Sequence, residues 1–377
     1  MSNIIVTIHD SLSPIRGGGG LRTLKTALEF KKRGHNVRIF APSNTTIIEG
    51  IPVECLNAPI KEKMFSTTLK FNLYLLLKLI KNRNKIDIIF CHNAIAGILC
   101  TFFSKVFGKK IILDVTDIHT EYLLSAKKNV LKRLPLMFFR KLEYWSFKKA
   151  DTLIVVSKAM RDLIVKNGVK RDHIYVVYDG VDVSDFDTKK ERKNHISIIH
   201  HGGIDAQDGV HYIPMAAKKI LKKHPKTKFL IVGGGSRLEQ VKAVAKKERV
   251  LDSFIFYGWR PYSEMRKFLK KADIGLITRP NTLPNNTILT LKLLEYWASA
   301  TASVVPKLNA IMEVSSDKED ALFYEPNNYE DLADKVCYLI DHKNLLRDIQ
   351  MNGMKKARAM FQWGILIKKI VDTSLIK

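Results

Sequence analysis

Thr287 to Glu295 reads Thr-Ile-Leu-Thr-Leu-Lys-Leu-Leu-Glu, and Leu291, Leu294, Trp297 and Ala298 recur at helical spacing. Thr287 or Thr290 is placed to cap that helix, whose free N–H groups then point into the preceding Pro/Asn-rich loop. Unpaired amides and the helix dipole together favour an anion at such an end, phosphate above all. Lys292 falls in the first turns and Glu295 about one turn later, so both can face one ligand. A second group, Asp117-x-His119-x-Glu121, follows the apolar run Ile111–Val115. If the extended geometry persists past the strand, these alternate side chains line one face of a cleft.

Glycines supply a third place for chemistry. Gly17 to Gly20 follow the apolar run Ile4–Ile8 and precede a helical stretch to Arg33, and glycine lets backbone approach a ligand closely. Position 22 is Arg, so the G-x-G-x-x-G dinucleotide fingerprint is absent and a nicotinamide dehydrogenase is disfavoured. Two patterns suggest a metal and are set aside. His200-His201 would point to opposite faces of a strand. Asp185-Phe186-Asp187 spells Asp-x-Asp, but it lies in a polar stretch that follows no strand end. No metal and no cofactor are expected.

The elements around these groups alternate. Strands are predicted at 4–8, 37–40, 86–92, 111–115 and 151–157, with a closing segment over 174–182. A second series follows at 196–200, 228–232, 254–257 and 274–277, with helices ending near Lys223 and Leu269. Strand, glycine loop, helix, strand is a βαβ unit, and ligands of open α/β sheets bind at the carboxyl ends of the strands. The division expected is 1–182 as a first Rossmann-like domain, 183–195 as a polar linker, 196–360 as a second, and 361–377 as a terminal helix.

A chain of 377 residues accommodates two such domains. No apolar run approaches the ~20 residues of a membrane span, and the first residues read as a strand rather than a signal peptide. Cys55, Cys91, Cys100 and Cys337 show no Cys-x-x-Cys spacing, which suits reduced core thiols in a cytosolic protein. The net charge of +26 favours polyanions: nucleic acid, an anionic membrane face or phosphorylated ligands. Residues 61–85 and 127–149 mix basic and apolar faces, fitting either sheet-packed helices or helices lying on a membrane. No nucleic-acid module signature accompanies them.

Several landmarks resemble one family. They are Lys292-Leu293-Leu294-Glu295-Tyr296, Gly17-Gly18 with the later Arg33-Gly34-His35, and Ala150-Asp151 with Val155-Val156-Ser157; Gly180-Val181-Asp182 and Phe361-x-Trp363 complete the set. The sequence is similar to the retaining, GT-B-fold glycosyltransferases of family 4, or group 1. The resemblance implies two Rossmann-like domains facing each other across a cleft, an acceptor domain first and a nucleotide-sugar donor domain second, with the C-terminal helix packing back on the first. It gives Glu295 the nucleotide ribose and turns Gly17 and Gly18 towards the cleft, at the diphosphate. Thr287 stands where the family has a glutamate on the donor sugar. Asp117 matches an aspartate near the acceptor, and His119 is offset from the usual histidine, whose place Thr116 takes. Asp179 replaces an asparagine, and Ala300 to Val304 departs from the family's Gly-Lys/Thr-Pro-Val-Val.

One departure bears on chemistry. The family's arginine and lysine on the loop after the first strand of the second domain fall at Gly203 and Asp208. Each charge-assisted hydrogen bond to a departing diphosphate contributes about 1.5–3 kcal/mol. Losing two removes about 3–6 kcal/mol, or roughly 10²–10⁴ in rate. Replacement would come from Arg260, Arg279, Lys292, the 287–290 helix start and the Gly202-Gly203 amides. The leading expectation is a metal-independent retaining transferase that moves a sugar from a UDP- or GDP-type donor to a lipid-linked or surface-glycan acceptor. Polysaccharide biosynthesis for the cell envelope, at the cytoplasmic membrane face, would be its setting. The alternatives are a catalytically silent GT-B protein serving as a scaffold in glycan assembly and, less favoured, a nonhydrolysing sugar-nucleotide epimerase. The expectation requires an open crevice beside Glu295; a buried, internally paired Glu295 contradicts it.

Overall fold

Ile4, Ile5 and Val6 are all fully buried in the first strand, β1 (Asn3–Thr7). An unbroken apolar run of this kind suits a parallel strand covered by helices on both faces. The computed structural model describes residues 1–12, 15, 18–55, 64–126, 133–186, 190, 191 and 193–376, without the side chains of 55, 64–69, 94, 95 and 126. They form two compact units, Met1–Asp179 with Gly364–Lys377, and Gly180–Trp363. Gly17 and Asp187 lie outside the described residues.

In the first unit β1 is followed by β2 (Asn36–Ala41), β3 (Ile47–Ile48), β4 (Ile51–Cys55), β5 (Ile88–His92), β6 (Lys110–Val115), β7 (Thr152–Val155) and β8 (Ile174–Val176). The sheet order is β3-β4-β2-β1-β5-β6-β7-β8, parallel except for the β3–β4 hairpin. Helices α1 (Gly18–Lys32), α2 (Met64–Asn82), α3 (Ala94–Phe107), α4 (His119–Ala126), α5 (Leu134–Lys149) and α6 (Lys158–Lys166) cover it. The predicted strands agree with these to within two residues, apart from 174–182, where the strand is confined to Ile174–Val176. The register β5–β6 sets His92 beside Asp114, and Asn93 ties the two strand ends: its Oδ1 accepts from Thr116 N at 2.9 Å. Asn93 holds φ at 63°, a conformation that a non-glycine residue keeps only when its surroundings over-determine it.

The second unit contains α7 (Val183–Phe186), β9 (Ser197–Gly203), α8 (Tyr212–Lys223), β10 (Lys228–Gly234), α9 (Leu238–Lys247), β11 (Phe254–Gly258), α10 (Met265–Leu269) and β12 (Ile274–Leu276). It continues through α11 (Leu283–Thr287), α12 (Leu291–Ala298), β13 (Ala302–Pro306), α13 (Asn309–Met312), β14 (Leu322–Tyr324), α14 (Tyr329–Asp341) and α15 (Lys343–Met360). Its parallel sheet runs β11-β10-β9-β12-β13-β14. Part of the stretch read as a linker is therefore the helix α7. The last helix, α16 (Trp363–Leu375), counts with the first unit from Gly364, where Asp372 pairs with Arg33.

Helix α12 carries Lys292 and Glu295, and two large rings fix its axial position. A Cβ at Gly275 would meet the Tyr296 ring at 2.6 Å, so glycine on β12 lets that ring lie against the sheet. The Tyr296 hydroxyl donates to Leu276 O at 3.1 Å. A Cβ at Gly353 of α15 would meet Trp297 Cδ1 at 2.3 Å, and Trp297 Nε1 donates to Asp320 O at 2.8 Å.

Candidate active site

In the second unit the charges gather at the carboxyl end of β9. Gly202 has φ of +96°, a left-handed value that favours glycine. A Cβ there would meet Lys292 Cε at 3.0 Å, and one at Gly203 would meet Asp208 Oδ2 at 3.0 Å. Lys292 Nζ lies 3.1 Å from Asp208 Oδ1, with Lys292 and Asp208 9% and 3% exposed. The ammonium therefore sits over bare backbone, held by the acid that occupies the position where the resemblance called for a lysine. Burial pushes the Asp208 carboxyl up, but Lys292 and Arg279 outweigh it and hold it below the ordinary range. Burial lowers the Lys292 ammonium against the pull of Asp208. The two side chains lie within ion-pair distance of each other, each largely buried. Asp208 Oδ2 also accepts from Asp205 N at 3.2 Å, closing the turn after β9.

Glu295 departs from expectation. It is 4% exposed, the Tyr262 hydroxyl acts on its carboxylate, and His201 Nε2 lies 3.3 Å from Oε2 without hydrogen-bonding geometry. Burial raises its pKa to about 7, against the opposing pull of Tyr262 and Lys292. Burial also drives His201 well below its ordinary value and His200 to about 4, so both imidazoles are neutral. The open carboxylate expected for the ribose is not present: Glu295 is buried, with Tyr262 and His201 beside it. The physical reason is local: burial in α12 and the nearness of Tyr262, which follows the loop after β11, surround this carboxylate with protein.

The helix caps differ as well. Thr290 takes the N-cap position of α12 but makes no side-chain cap bond. Thr287 donates to Pro284 O at 3.0 Å and Leu283 O at 3.2 Å, inside α11, a short helix capped by Thr282. Arg260 is exposed and its Nε donates to Tyr257 O at 3.2 Å. The structure thus brings together Gly202, Gly203, Arg279, Lys292 and Glu295, and gives Thr287 and Arg260 local partners.

In the first unit α4 begins at His119, so the extended alternation expected across Asp117, His119 and Glu121 does not exist. Glu121 turns to Arg140 Nε at 2.6 Å and Tyr144 Oη at 3.1 Å. The His119 ring instead meets His9 edge-on, with centroids 5.9 Å apart, and Asp117 and His92 act on it electrostatically. Burial lowers both His9 and His119, the nearby aspartates opposing it. Neither Nδ1 has a hydrogen-bond partner among the described residues. Asp117 and His119 are brought together, with His9 as an unforeseen neighbour. Gly18 opens α1, whose next residue closes on His92: a Cβ at Gly19 would meet His92 Nε2 at 2.6 Å.

Beneath them lies a network that sequence reasoning missed. Arg22 is fully buried and bidentate on Asp114, with Nε to Oδ2 and Nη2 to Oδ1 both at 2.8 Å. Its remaining donors reach Val177 O, Tyr178 O and Asp179 Oδ1. His92 Nδ1 lies 3.1 Å from Asp114 Oδ2. The one available signal was a carboxylate inside the apolar run Ile-Ile-Leu-Asp-Val, since a buried charge needs a partner. Among the described residues no group of three or more His, Cys, Asp or Glu is arranged to hold a metal ion.

Comparison with known proteins bears on both units. The family model Glycosyltransferase Family 4 matches residues 16–185, and Glycosyl transferases group 1 matches 183–356. The chain is 24% identical over 352 residues to an uncharacterized glycosyltransferase of Methanocaldococcus jannaschii, covering 90% of this chain and 85% of that one. It is 22% identical to the alpha-monoglucosyldiacylglycerol synthase of Streptococcus pneumoniae, over 81% of this chain and 71% of that one. The sucrose-phosphate synthase of Thermosynechococcus elongatus superposes with a TM-score of 0.83 at 15% identity, over 99% and 98% of the two chains. Anabaena HepE, solved with UDP-glucose, superposes with a TM-score of 0.78 at 16% identity, over 99% of each chain. The fold is the GT-B fold, with two parallel-sheet α/β domains.

Proposed function

The chain belongs to the GT-B glycosyltransferases of the family 4/group 1 type, and from that premise we propose that it transfers a sugar from a nucleoside-diphosphate donor, of UDP or GDP type, to a lipid-linked or surface-glycan acceptor. The observation that carries the donor half is Lys292, seated over the Cβ-free backbone of Gly202 at a strand's carboxyl end. Strand ends of this kind are where open α/β sheets bind ligands. As the glycosidic bond breaks, electrons pass to the departing diphosphate, and a fixed ammonium with nearby amides stabilises that charge. Lys292 and Arg279 fill this role in place of a metal, and the anomeric configuration is retained. The UDP-glucose bound by HepE supports a nucleotide sugar as donor.

Asp117 and His119 take the acceptor side. A carboxylate there accepts the hydrogen bond of the attacking hydroxyl, and a neutral imidazole orients it. Glu295 reaches a ribose only when Tyr262 releases it, so this role follows donor entry. The second reading, a silent GT-B scaffold, is favoured by the same two facts that burden the first: Asp208 already pairs with Lys292, and Glu295 is buried with Tyr262 beside it.

Calorimetric titration of UDP, GDP and their sugars, followed by donor hydrolysis, decides between the two. Binding that is lost in Lys292→Ala, with turnover in the parent, is the expected result. A parent that binds no nucleotide at millimolar ligand ends the transferase reading and leaves the scaffold.

A further inference from the structure

Helices α2, α3 and α5 lie side by side on the first unit, α3 packing against each of the others. Their outward residues are not those of an ordinary solvated surface. Leu73 and Leu77 of α2, Phe102 and Val106 of α3, and Met137 and Phe138 of α5 are each more than half exposed. Within each of α2 and α3 the pair is four residues apart, so it forms a stripe along one face rather than scatter. Between the helices runs a groove of about 400 Å³ lined by Leu76, Ile98, Leu99, Phe102, Leu142 and Trp145, all apolar apart from the indole N–H.

Charge narrows what can cover this face. The single acid on the three helices is Glu143, which is 1% exposed and turned to the amides of His119 and Thr120. Lys78 and Lys105 pair with Glu54 and Asp151 from neighbouring elements, while Lys70, Lys81, Lys141 and Lys149 are exposed. A second copy docking through the same face would bring like charges together. A nucleic acid would match the cations and leave the aliphatic stripes without a partner. An anionic bilayer satisfies both, with headgroups at the lysines and hydrocarbon at the stripes.

We propose that α2, α3 and α5 form an interfacial docking surface for an anionic phospholipid bilayer, and that the groove beside Trp145 takes one acyl chain. This deepens the lipid-linked acceptor reading and rests on it, although the surface is tested without turnover. No helix is long and apolar enough to cross a membrane among the described residues, so the contact is one of lying on the surface.

The test uses the full chain with phosphatidylcholine vesicles and with vesicles containing phosphatidylglycerol, by flotation at low and high salt. Association with the anionic vesicles alone is expected, weakened by salt but not abolished. Phe102→Asp with Phe138→Asp is expected to reduce partitioning by about tenfold or more, since both side chains leave the hydrocarbon. Lys141→Glu with Lys149→Glu should weaken binding to the anionic vesicles. Phosphatidylglycerol brominated on its acyl chains should quench Trp145 emission, and Trp145→Phe should lose that quenching while still floating. No association at low salt, or association indifferent to the aspartate pair, overturns the proposal. Binding without quenching at Trp145 overturns the groove, and dimerisation that the aspartate pair abolishes, without vesicle binding, assigns the face to a second copy. Nucleotide binding measured in the same preparation separates the two readings: vesicle binding without it removes the transferase and spares this surface.

Discussion

Two buried ion pairs sit at the working ends of the two sheets, and they differ in how completely they are satisfied. Arg22 in the first unit gives its donors to Asp114, Asp179 and the carbonyls of Val177 and Tyr178, and nothing of it reaches solvent. Lys292 in the second has Asp208 as its one hydrogen-bonded side chain among the described residues, over backbone stripped of Cβ atoms. An ammonium has three donors, so this second pair retains capacity that the first has spent. A saturated buried pair holds elements in place; an unsaturated one beside bare backbone is suited to a ligand.

The largest expected effect tests the saturated pair. Arg22→Met leaves Asp114 buried with only His92 beside it, and breaking such a pair typically removes about 3–5 kcal/mol of stability. Denaturant unfolding should show this, and a loss below about 1 kcal/mol, the value of an exposed pair, would mean that Arg22 is not the lock described. Next comes Lys292→Ala, expected to weaken nucleoside-diphosphate binding by roughly ten- to a hundredfold, the equivalent of one charge-assisted hydrogen bond.

Asp208→Asn sharpens the contrast because its sign is opposite. The amide keeps an acceptor for Asp205 N but no longer neutralises Lys292, so nucleotide affinity should rise by about three- to tenfold. General damage would not tighten binding, and unchanged or weaker affinity counts against Lys292 as the diphosphate cation. Tyr262→Phe releases Glu295. If that carboxylate holds a ribose, the variant gains affinity for UDP but not for inorganic diphosphate; equal gains for both would leave Glu295 structural.

The smallest effect is a pH dependence. Glu295 titrates near 4.5 when unfolded and about 7 when folded, so the folded state holds more protons between these values. Its contribution is therefore fully present below about 4.5 and is lost as pH rises through about 7. Glu295→Gln should gain stability over the parent at pH 8 and show little gain at pH 5. Parallel unfolding curves at both pH values would place the titration elsewhere.

How much of this could be read from the chain depends on range. Unbroken runs such as Ile4–Val6 and the glycine-flanked strands declared the parallel sheets, because a period of that kind is a local property. Lys292 and Glu295 were placed on one helix for the same reason, and Asp117 with His119 at a strand end. Arg22, taken with its neighbours alone, does no more than break a glycine fingerprint. Its partner lies 92 positions away, and no local spacing announces such a pair. The Asp117–Glu121 alternation failed because Glu143, from another helix, caps the turn that starts at His119. The buried Glu295 was equally invisible, since Tyr262 lies two helices and one strand upstream of α12. The family assignment stands on the match across 16–356, not on that carboxylate.

Gly353 has an effect out of proportion to its place in the chain. The notch it leaves seats the Trp297 indole, and the smallest added side chain would strike that ring at 2.3 Å. The pitch of the helix bearing the ammonium is thus calibrated from α15, some sixty positions downstream of it. Error-prone libraries screened for lost sugar transfer should return lesions at this glycine, in variants that remain folded but carry a misaimed cation.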